Sequence, residues 1–403
     1  MIPFFVQIKC QLGKCYAVAN ALADSEIASE IYSTAGEFDL LAKFYVDDGI
    51  DIGASAVLGE VDQYVTVEYF LTTFNGDDGV SLETYAFFGG DVYQDVVLAD
   101  GATGYNGDDG ISSVNEAFFF GLTTQNLAIY VVDSAYNGDD GLSVQNYAGY
   151  GSATYQTTAV LFSAFYQNGG DGIYVDNYAN YGSYIDNSLT ILATYVEDNL
   201  DDGVDVQSYA YQGSLIEQYL GIGLSLIDGN TASGVEIGTA AVNLSTANQT
   251  TAIALTTISN NGQNGIVIGN FADPSYLTQS VTIGLSTISD NTGDGIYVSN
   301  VALDDGTVLT QDIDIEQSTI DGNTDDGIDF YMYAAGGAVI DPSLYLYNVD
   351  ITNNGGDGIA MSLVATGVGA VYGSDIYFEV DGDGAYIVGN GGSGINANLT
   401  GAT

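Results

Sequence analysis

Carboxylates are the residues in this sequence that could do chemistry, and they come at a fixed interval. "NGDDG" occurs at 75–79, 106–110 and 137–141, and "NLDDG" and "NTDDG" follow at 199–203 and 323–327. Paired acids repeated in this way suit two kinds of chemistry. Carboxylate and backbone carbonyl oxygens are hard ligands for a cation such as Ca2+. Two carboxyl groups about 5 Å or about 6.5–9.5 Å apart suffice to cleave a glycosidic bond. The candidate metal ligands are Asp77, Asp78, Asp108, Asp109, Asp139, Asp140, Asp171, Asp201, Asp202, Asp325 and Asp326. Turn chemistry alone also explains the motif, because Asn, Gly and Asp all favour tight turns. The Gly-Gly-x-Gly-x-Asp calcium nonapeptide does not recur.

Other chemistries lack their parts. The chain of 403 residues carries a formal net charge of −50, with no His and three cationic residues, Lys9, Lys14 and Lys43. Beyond residue 46 there is no imidazole base and no cation to hold an acidic sugar, so lyase or epimerase chemistry on uronates is not expected. Such a surface repels nucleic acid and anionic lipid. No nucleic-acid partner is expected. No stretch is apolar enough for membrane insertion. Two like charges one strand spacing apart (about 4.8 Å) repel by roughly 0.9 kcal/mol in water. A column of them should bind cations or raise its own pKa values. The two cysteines, Cys10 and Cys15, form no disulfide framework.

The elements that must position these acids follow from the repeat. Glycines that precede an aliphatic residue fall at 49, 79, 110, 141, 172, 203, 234, 265, 295, 327, 358 and 394, a period of about 31 residues. One and three places after the glycine the residue is usually apolar, as in Val204 and Val206, which is the alternation of a strand with one face inside. Seven places after it stands Ala, from Ala56 through Ala148 and Ala241 to Ala365, which suggests a tight interior corner. Four places before it stands Asn: Asn75, Asn106, Asn137, Asn168, Asn199, Asn230, Asn261, Asn291, Asn323 and Asn354, with Asn390 in the last coil. Amides stacked at strand spacing can hydrogen-bond along the column and satisfy an inward turn. Tyr85, Tyr147, Tyr178, Tyr209 and Tyr333 share one further column, readable as a packing ladder or as a sugar-binding face.

The "N-x-x-D-G-I-x-V" pattern, with "NTGDGIYVSN" at 291–300 as its best copy, resembles the parallel β-helix repeat family over residues 47–403. The fold expected is all-β: a right-handed parallel β-helix of about 11–12 coils of about 31 residues, preceded by a small α+β segment. That segment, residues 1–46, reads as βαββ, with strands at "FFVQIKC", "SEIYSTAG" and "FDLLAKFYV" and a helix at "GKCYAVANALADSE". Residues 1–53 resemble the ligand-binding domain of the Lrp/AsnC family, lacking its second helix and fourth strand. That resemblance implies a small-effector site at Thr34, Gly36 and Asp39.

Three functions are compatible with these features. Regular coils and a uniform acidic surface point to a non-catalytic, adhesin-like or surface structural rod, not an enzyme, with multisite calcium binding and a glycan or cell-surface partner. The alternative is a carbohydrate-active β-helix enzyme on a neutral polysaccharide; with acids in every coil, no catalytic pair stands out. The third is effector binding through the N-terminal segment. No cofactor beyond Ca2+ is implied. The solenoid composition suggests an extracellular or cell-surface location, although no signal peptide is read. The chain stops in mid-coil, and the open edge predicts end-to-end self-association or a longer parent rod.

Overall fold

Every 31 residues or so the chain returns to a position one strand spacing above where it was, and it does so with each residue over its counterpart. In the computed structural model, Ile173 pairs with Val204, Tyr178 with Tyr209 and Ala179 with Ala210, all in parallel register. The structure describes residues 48–367 and 386–400 in full, and strands Phe4–Ile8, Glu30–Ser33, Leu40–Phe44, Val371–Tyr372 and Tyr377–Asp381 by their backbone. The described part is an all-β parallel solenoid of the right-handed type, with no helix.

Each coil has three faces. The first is a twelve-stranded parallel sheet running from Ile50–Ala56 to Ile395–Gly401, one strand after each repeat glycine. The second is built from nine-residue strands such as Tyr184–Leu192 and Leu215–Gly223. The third is built from three-residue strands such as Tyr195–Glu197 and Leu226–Asp228. In two coils the second and third strands run together, as Gly90–Gly104 and Leu122–Ala135. Single residues in the left-handed region make the corners, for example Tyr181 (φ 55°), Ala193 (φ 52°) and Asp198 (φ 58°).

Alternation sends Val204, Val206 and Ala210 of the first face into a core shared with Leu220, Ile222 and Ile227. The alanine column is fully buried from Ala86 to Ala334, where any longer side chain would meet the coil above and below. The asparagine column is continuous. The Nδ2 of each asparagine donates to the Oδ1 of the next, from Asn75 to Asn106 (2.8 Å) through Asn168 to Asn199 (3.0 Å) to Asn354 to Asn390 (3.1 Å). The same Oδ1 also accepts the backbone N–H of the preceding coil's asparagine, as Asn199 Oδ1 does from Asn168 (3.1 Å). Asn199 Nδ2 reaches the Phe165 carbonyl as well (3.2 Å). The repeat glycine makes room for this. A Cβ on Gly172 would lie 2.2 Å from Val196 Cγ1 and 2.8 Å from Asn199 Nδ2.

A second polar ladder lies inside the coils and was not read from the sequence. Gln94, Gln125, Gln218, Gln279 and Gln311 of the second face are buried opposite Asn177, Asn270 and Asn300 of the first. Asn177 donates to Gln218 (2.6 Å), Asn270 to Gln279 (2.7 Å) and Asn300 to Gln311 (2.6 Å). Along the axis, Gln311 donates to Gln279 (2.7 Å) and Gln125 to Gln94 (2.7 Å).

At the N-terminus the three strands form an antiparallel sheet with Leu40–Phe44 in the middle. The expected helix, and Thr34, Gly36 and Asp39, lie outside the described residues.

The asparagine ladder sets a test. Asn199→Ala deletes the acceptor of Asn168 and the donor to Asn230 inside a dry turn. It should cost about 2–4 kcal/mol, because buried partners are left unpaired. Ala179→Leu, at a corner with no free volume, should cost about 1–3 kcal/mol. Urea midpoints read both; losses within 0.5 kcal/mol, roughly that of a neutral surface change, would show that the columns do not hold the coils.

Candidate active site

The acid column lies at the turn before each first-face strand. It is a ladder of carboxylates on backbone amides. Asp78 Oδ1 accepts the N–H of Asp109 (3.0 Å), Asp109 that of Asp140 (2.9 Å), Asp140 that of Asp171 (2.7 Å) and Asp171 that of Asp202 (2.7 Å). The ladder resumes from Asp294 to Asp326 (2.8 Å). Thus the turn chemistry and the acid repeat are one device: each carboxylate caps the next coil. Burial, reinforced by the acids above and below, raises the carboxyl of Asp109 to about 8 and that of Asp140 to about 9. Burial likewise raises Asp78, Asp171, Asp202 and Asp294 to about 7, against the lowering effect of the amide each one caps.

The expected metal ligands come together in part. Asp77, Asp78 and Asp108 have ligand atoms within 4.8 Å of one another, as do Asp108, Asp109 and Asp139, and Asp171, Asp201 and Asp202. Asp325 and Asp326 join Asp294, which the sequence reading had left out. Asp140 belongs to the ladder but to none of these trios. These groups could hold a metal ion.

A different set of carboxylates is the best candidate for catalysis. Three coils put Tyr174, Asp205 and Glu236 side by side on the outer surface of the first face, with Asp176, Gln207 and Gly238 two residues further along the strands. Asp205 and Glu236 are direct register partners, one strand spacing apart. Gln207 Nε2 donates to Asp205 Oδ1 (2.6 Å), and Gln207 Oε1 accepts from the Tyr209 hydroxyl (3.2 Å). Burial raises Asp205 to about 8; the Gln207 bond opposes this, and Asp171, Glu236 and Asp202 add to it. Burial also raises Asp176, and Glu236, where Gln207 works in the opposite direction and Asp201 adds to the rise. Tyr174 is raised by burial and by Asp176 and Asp205. Among the described residues, Asp176 Oδ1 is buried with no hydrogen-bond partner.

A shallow hollow of about 330 Å³ opens on the C-terminal side, lined by Gln207, Tyr209, Glu236, Gly238, Gly269 and Phe271 among others. At Gly238 a Cβ would lie 1.8 Å from Gln207 Oε1, so a side chain there would displace the Gln207 amide. At Gly269 a Cβ would meet nothing nearer than the Ile237 carbonyl at 4.0 Å, so that position is open floor.

Nothing in the sequence singles out Tyr174, Asp176, Asp205, Gln207, Glu236 and Gly238 as catalytic, because the same outward columns carry acids and amides elsewhere, at Asp51, Glu83, Gln145 and Asp329. Of the expected tyrosine column, Tyr147 and Tyr178 stack (5.2 Å, 14°), Tyr178 is tilted against Tyr211 (5.4 Å), and Tyr209 belongs to the site.

No protein-family model matches this chain, and no curated protein matches it. The Lrp/AsnC resemblance therefore has no support from these comparisons. Among solved structures the chain is similar to a point mutant of the periplasmic alginate epimerase AlgG, at 11% identity and a TM-score of 0.34, over 84% of this chain and 77% of that one. It is similar to the A-module of Azotobacter vinelandii mannuronan C-5 epimerase AlgE4, at 12% and 0.30, over 86% and 98%. The A-module of the epimerase AlgE6 from the same organism gives 14% and 0.30, over 84% and 91%. These likenesses are of fold, and no residue role or substrate passes from them to this chain. The solenoids named are enzymes, which runs against the expectation of a non-catalytic, adhesin-like rod that is not an enzyme. What the repeat pattern hid is visible in the cluster. Acids occur in every coil, but on the first-face surface burial between Tyr174 and Tyr209 sets one group apart.

The raised carboxyls fix the sign of a pH effect. A carboxyl whose folded value lies above its ordinary value near 3.8 favours the native state fully below that value. The contribution is lost as pH rises through the folded values of about 7 to about 9. In EDTA, the urea midpoint should therefore fall from pH 5 to pH 9; a midpoint that rises over this range would contradict the ladder's protonation.

Proposed function

We propose that this chain is a carbohydrate-active enzyme that cleaves a neutral polysaccharide on the first face of the solenoid. Asp205 is the general acid and Glu236 the second carboxylate. One observation carries the reading: a half-buried carboxyl raised to about 8 stands in register beside a second carboxylate, at the edge of an open hollow. A group with that value keeps its proton at neutral pH, as a general acid must. Strand spacing of about 4.8 Å is close to the carboxyl separation of roughly 5–5.5 Å that suits retention of configuration.

The step balances with these groups alone. Asp205 gives its proton to the glycosidic oxygen as the C–O bond breaks, and the Glu236 carboxylate bonds to the anomeric carbon. Asp205, now ionised, takes a proton from water, whose oxygen displaces Glu236. Gln207 orients Asp205, and Tyr174 and Tyr209 keep the pair dry. The hollow over Gly238 and Gly269, with Phe271 as its wall, receives the sugar. Every charge around it is negative and the solenoid has no cation, which favours an uncharged glycan.

The same reading includes Ca2+ at the trios away from Asp205, namely Asp77 with Asp78 and Asp108, and Asp108 with Asp109 and Asp139, whose oxygen donors and charge suit that ion. It also includes a location outside the cytoplasm, supported by the acidic, lysine-free solenoid and the scarcity of cysteine.

Release of reducing ends from a panel of neutral polysaccharides tests the activity. Asp205→Asn and Glu236→Gln should each lower kcat by roughly 10³-fold with unchanged melting. Gly269→Leu should raise KM and spare kcat. Activity should decline above about pH 8 as Asp205 ionises. Failure to cleave any neutral glycan, or full activity in the Asp205 variant, would end this reading. Calorimetric titration with CaCl2 should show binding that weakens in Asp108→Asn; an identical isotherm for both proteins would remove those trios as sites.

A further inference from the structure

On a chain of net charge −50, one broad surface carries no charge at all. Five successive coils contribute the segments 157–164, 188–195, 219–226, 250–257 and 280–287, and none contains Asp, Glu or Lys. They cover the outer half of the second face, its corner with the third, and the start of the third. Acids lie beyond it at Asp133 before, at Asp312, Asp314 and Glu316 after, and at Glu197 and Asp228 along the third face, while the coil of 250–257 is free of acids from 237 to 272.

The corner of this surface is a ridge. Leu224, Leu255 and Leu285 stand over one another, each more than half exposed, and Phe162, also more than half exposed, lies on the same line two coils before Leu224, beyond Ala193. Each also has a left-handed backbone, with φ from 53° to 55°. Both features cost free energy: a large apolar side chain in water, and a non-glycine residue in a sparsely populated region. Asn, Asp or Gly would suit the backbone better, and Asp100 and Asn348 do occupy the same column in other coils, at φ 49° and 51°. Directly before the three leucines the outward residues are small, Gly223, Ala254 and Gly284, whereas Leu161 and Leu192 fill the same column in the two preceding coils. A ridge therefore runs beside a trench, both with the period of the coils.

We propose that this surface is the interface for a second copy of the chain, packed antiparallel about a two-fold axis. The ridge of each copy lies in the trench of the other. A two-fold contact must be self-complementary, and a ridge beside a trench of equal period is. It is also a place where two such acidic rods can approach without facing carboxylates. Five coils at about 4.8 Å and seven residues at about 3.3 Å give roughly 550 Å² per copy. That total lies at the small end of specific interfaces, so the dimer is weak and exchanging. The acids at the two ends of the surface meet across the axis, so salt strengthens the pairing. The first face, with Asp205 and Glu236, stays open in both copies, and the pairing is independent of the proposed activity.

Sedimentation equilibrium of the whole chain, from micromolar to near-millimolar concentration in low and high salt, tests this. The wild type should pair reversibly, more tightly in high salt. The Leu224→Asn, Leu255→Asn and Leu285→Asn triple variant should weaken pairing by roughly 100-fold while its melting temperature holds or rises, since Asn suits the backbone. Ala252→Glu, in the charge-free surface but off the ridge, should weaken it as well. A wild type that stays monomeric throughout overturns the proposal. So does pairing that survives both variants, which would move association to the coil ends. A triple variant that melts early and pairs normally would make the ridge a packing ladder only.

Discussion

Everything in this molecule rests on the distance between one coil and the next. Backbone hydrogen bonding between parallel strands fixes that distance, and side chains that repeat at it can bond to their own kind. The asparagine column uses this fully: the Oδ1 of Asn199 takes two donors from Asn168, and its Nδ2 serves both Asn230 and the Phe165 carbonyl. Polar groups at an inward turn are thereby satisfied without water. The interior glutamines repeat the solution on another wall of the coil.

The same spacing that helps amides is hostile to carboxylates. Asp78, Asp109, Asp140, Asp171 and Asp202 are stacked within reach of one another, and each is already committed to an amide of the coil above. Their negative charge can be relieved by a proton or a cation, and burial favours the proton. Asp205 inherits this field, since Asp171 and Asp202 stand behind it. The acid column, structural in origin, thus conditions a neighbouring carboxyl for proton transfer.

Much of the fold was legible because internal repetition replaces comparison with relatives. Twelve glycines, eleven asparagines and a column of alanines marked the period, the inward turn and the tight corner, and the structure puts each where the pattern required. The interior glutamines escaped notice because a buried Gln has no preferred neighbour in sequence; its partners, such as Asn177 for Gln218, lie on the opposite wall. The site escaped notice for the opposite reason. Repeat columns reveal what recurs, whereas Asp176, Asp205, Gln207 and Glu236 matter because acids that stand singly elsewhere in their columns, as Asp51, Glu83 and Asp329 do, here fall in successive coils. Only the pairing of three particular coils brings them together.

The unbroken alignment of ladders also governs how such a molecule can change size. A coil added or lost whole leaves every column continuous, because its ends present the same amides and carbonyls as the coils it joins. Genetic duplication in steps of one period would lengthen the rod without touching its cross-section. Slippage by a few residues would shear every ladder at once. The stretch from Tyr174 to Glu236 alone would not tolerate a spliced-in coil, since its neighbours there are particular rather than generic. Growth by whole turns elsewhere, with this one segment held fixed, is the mode of variation that the architecture permits.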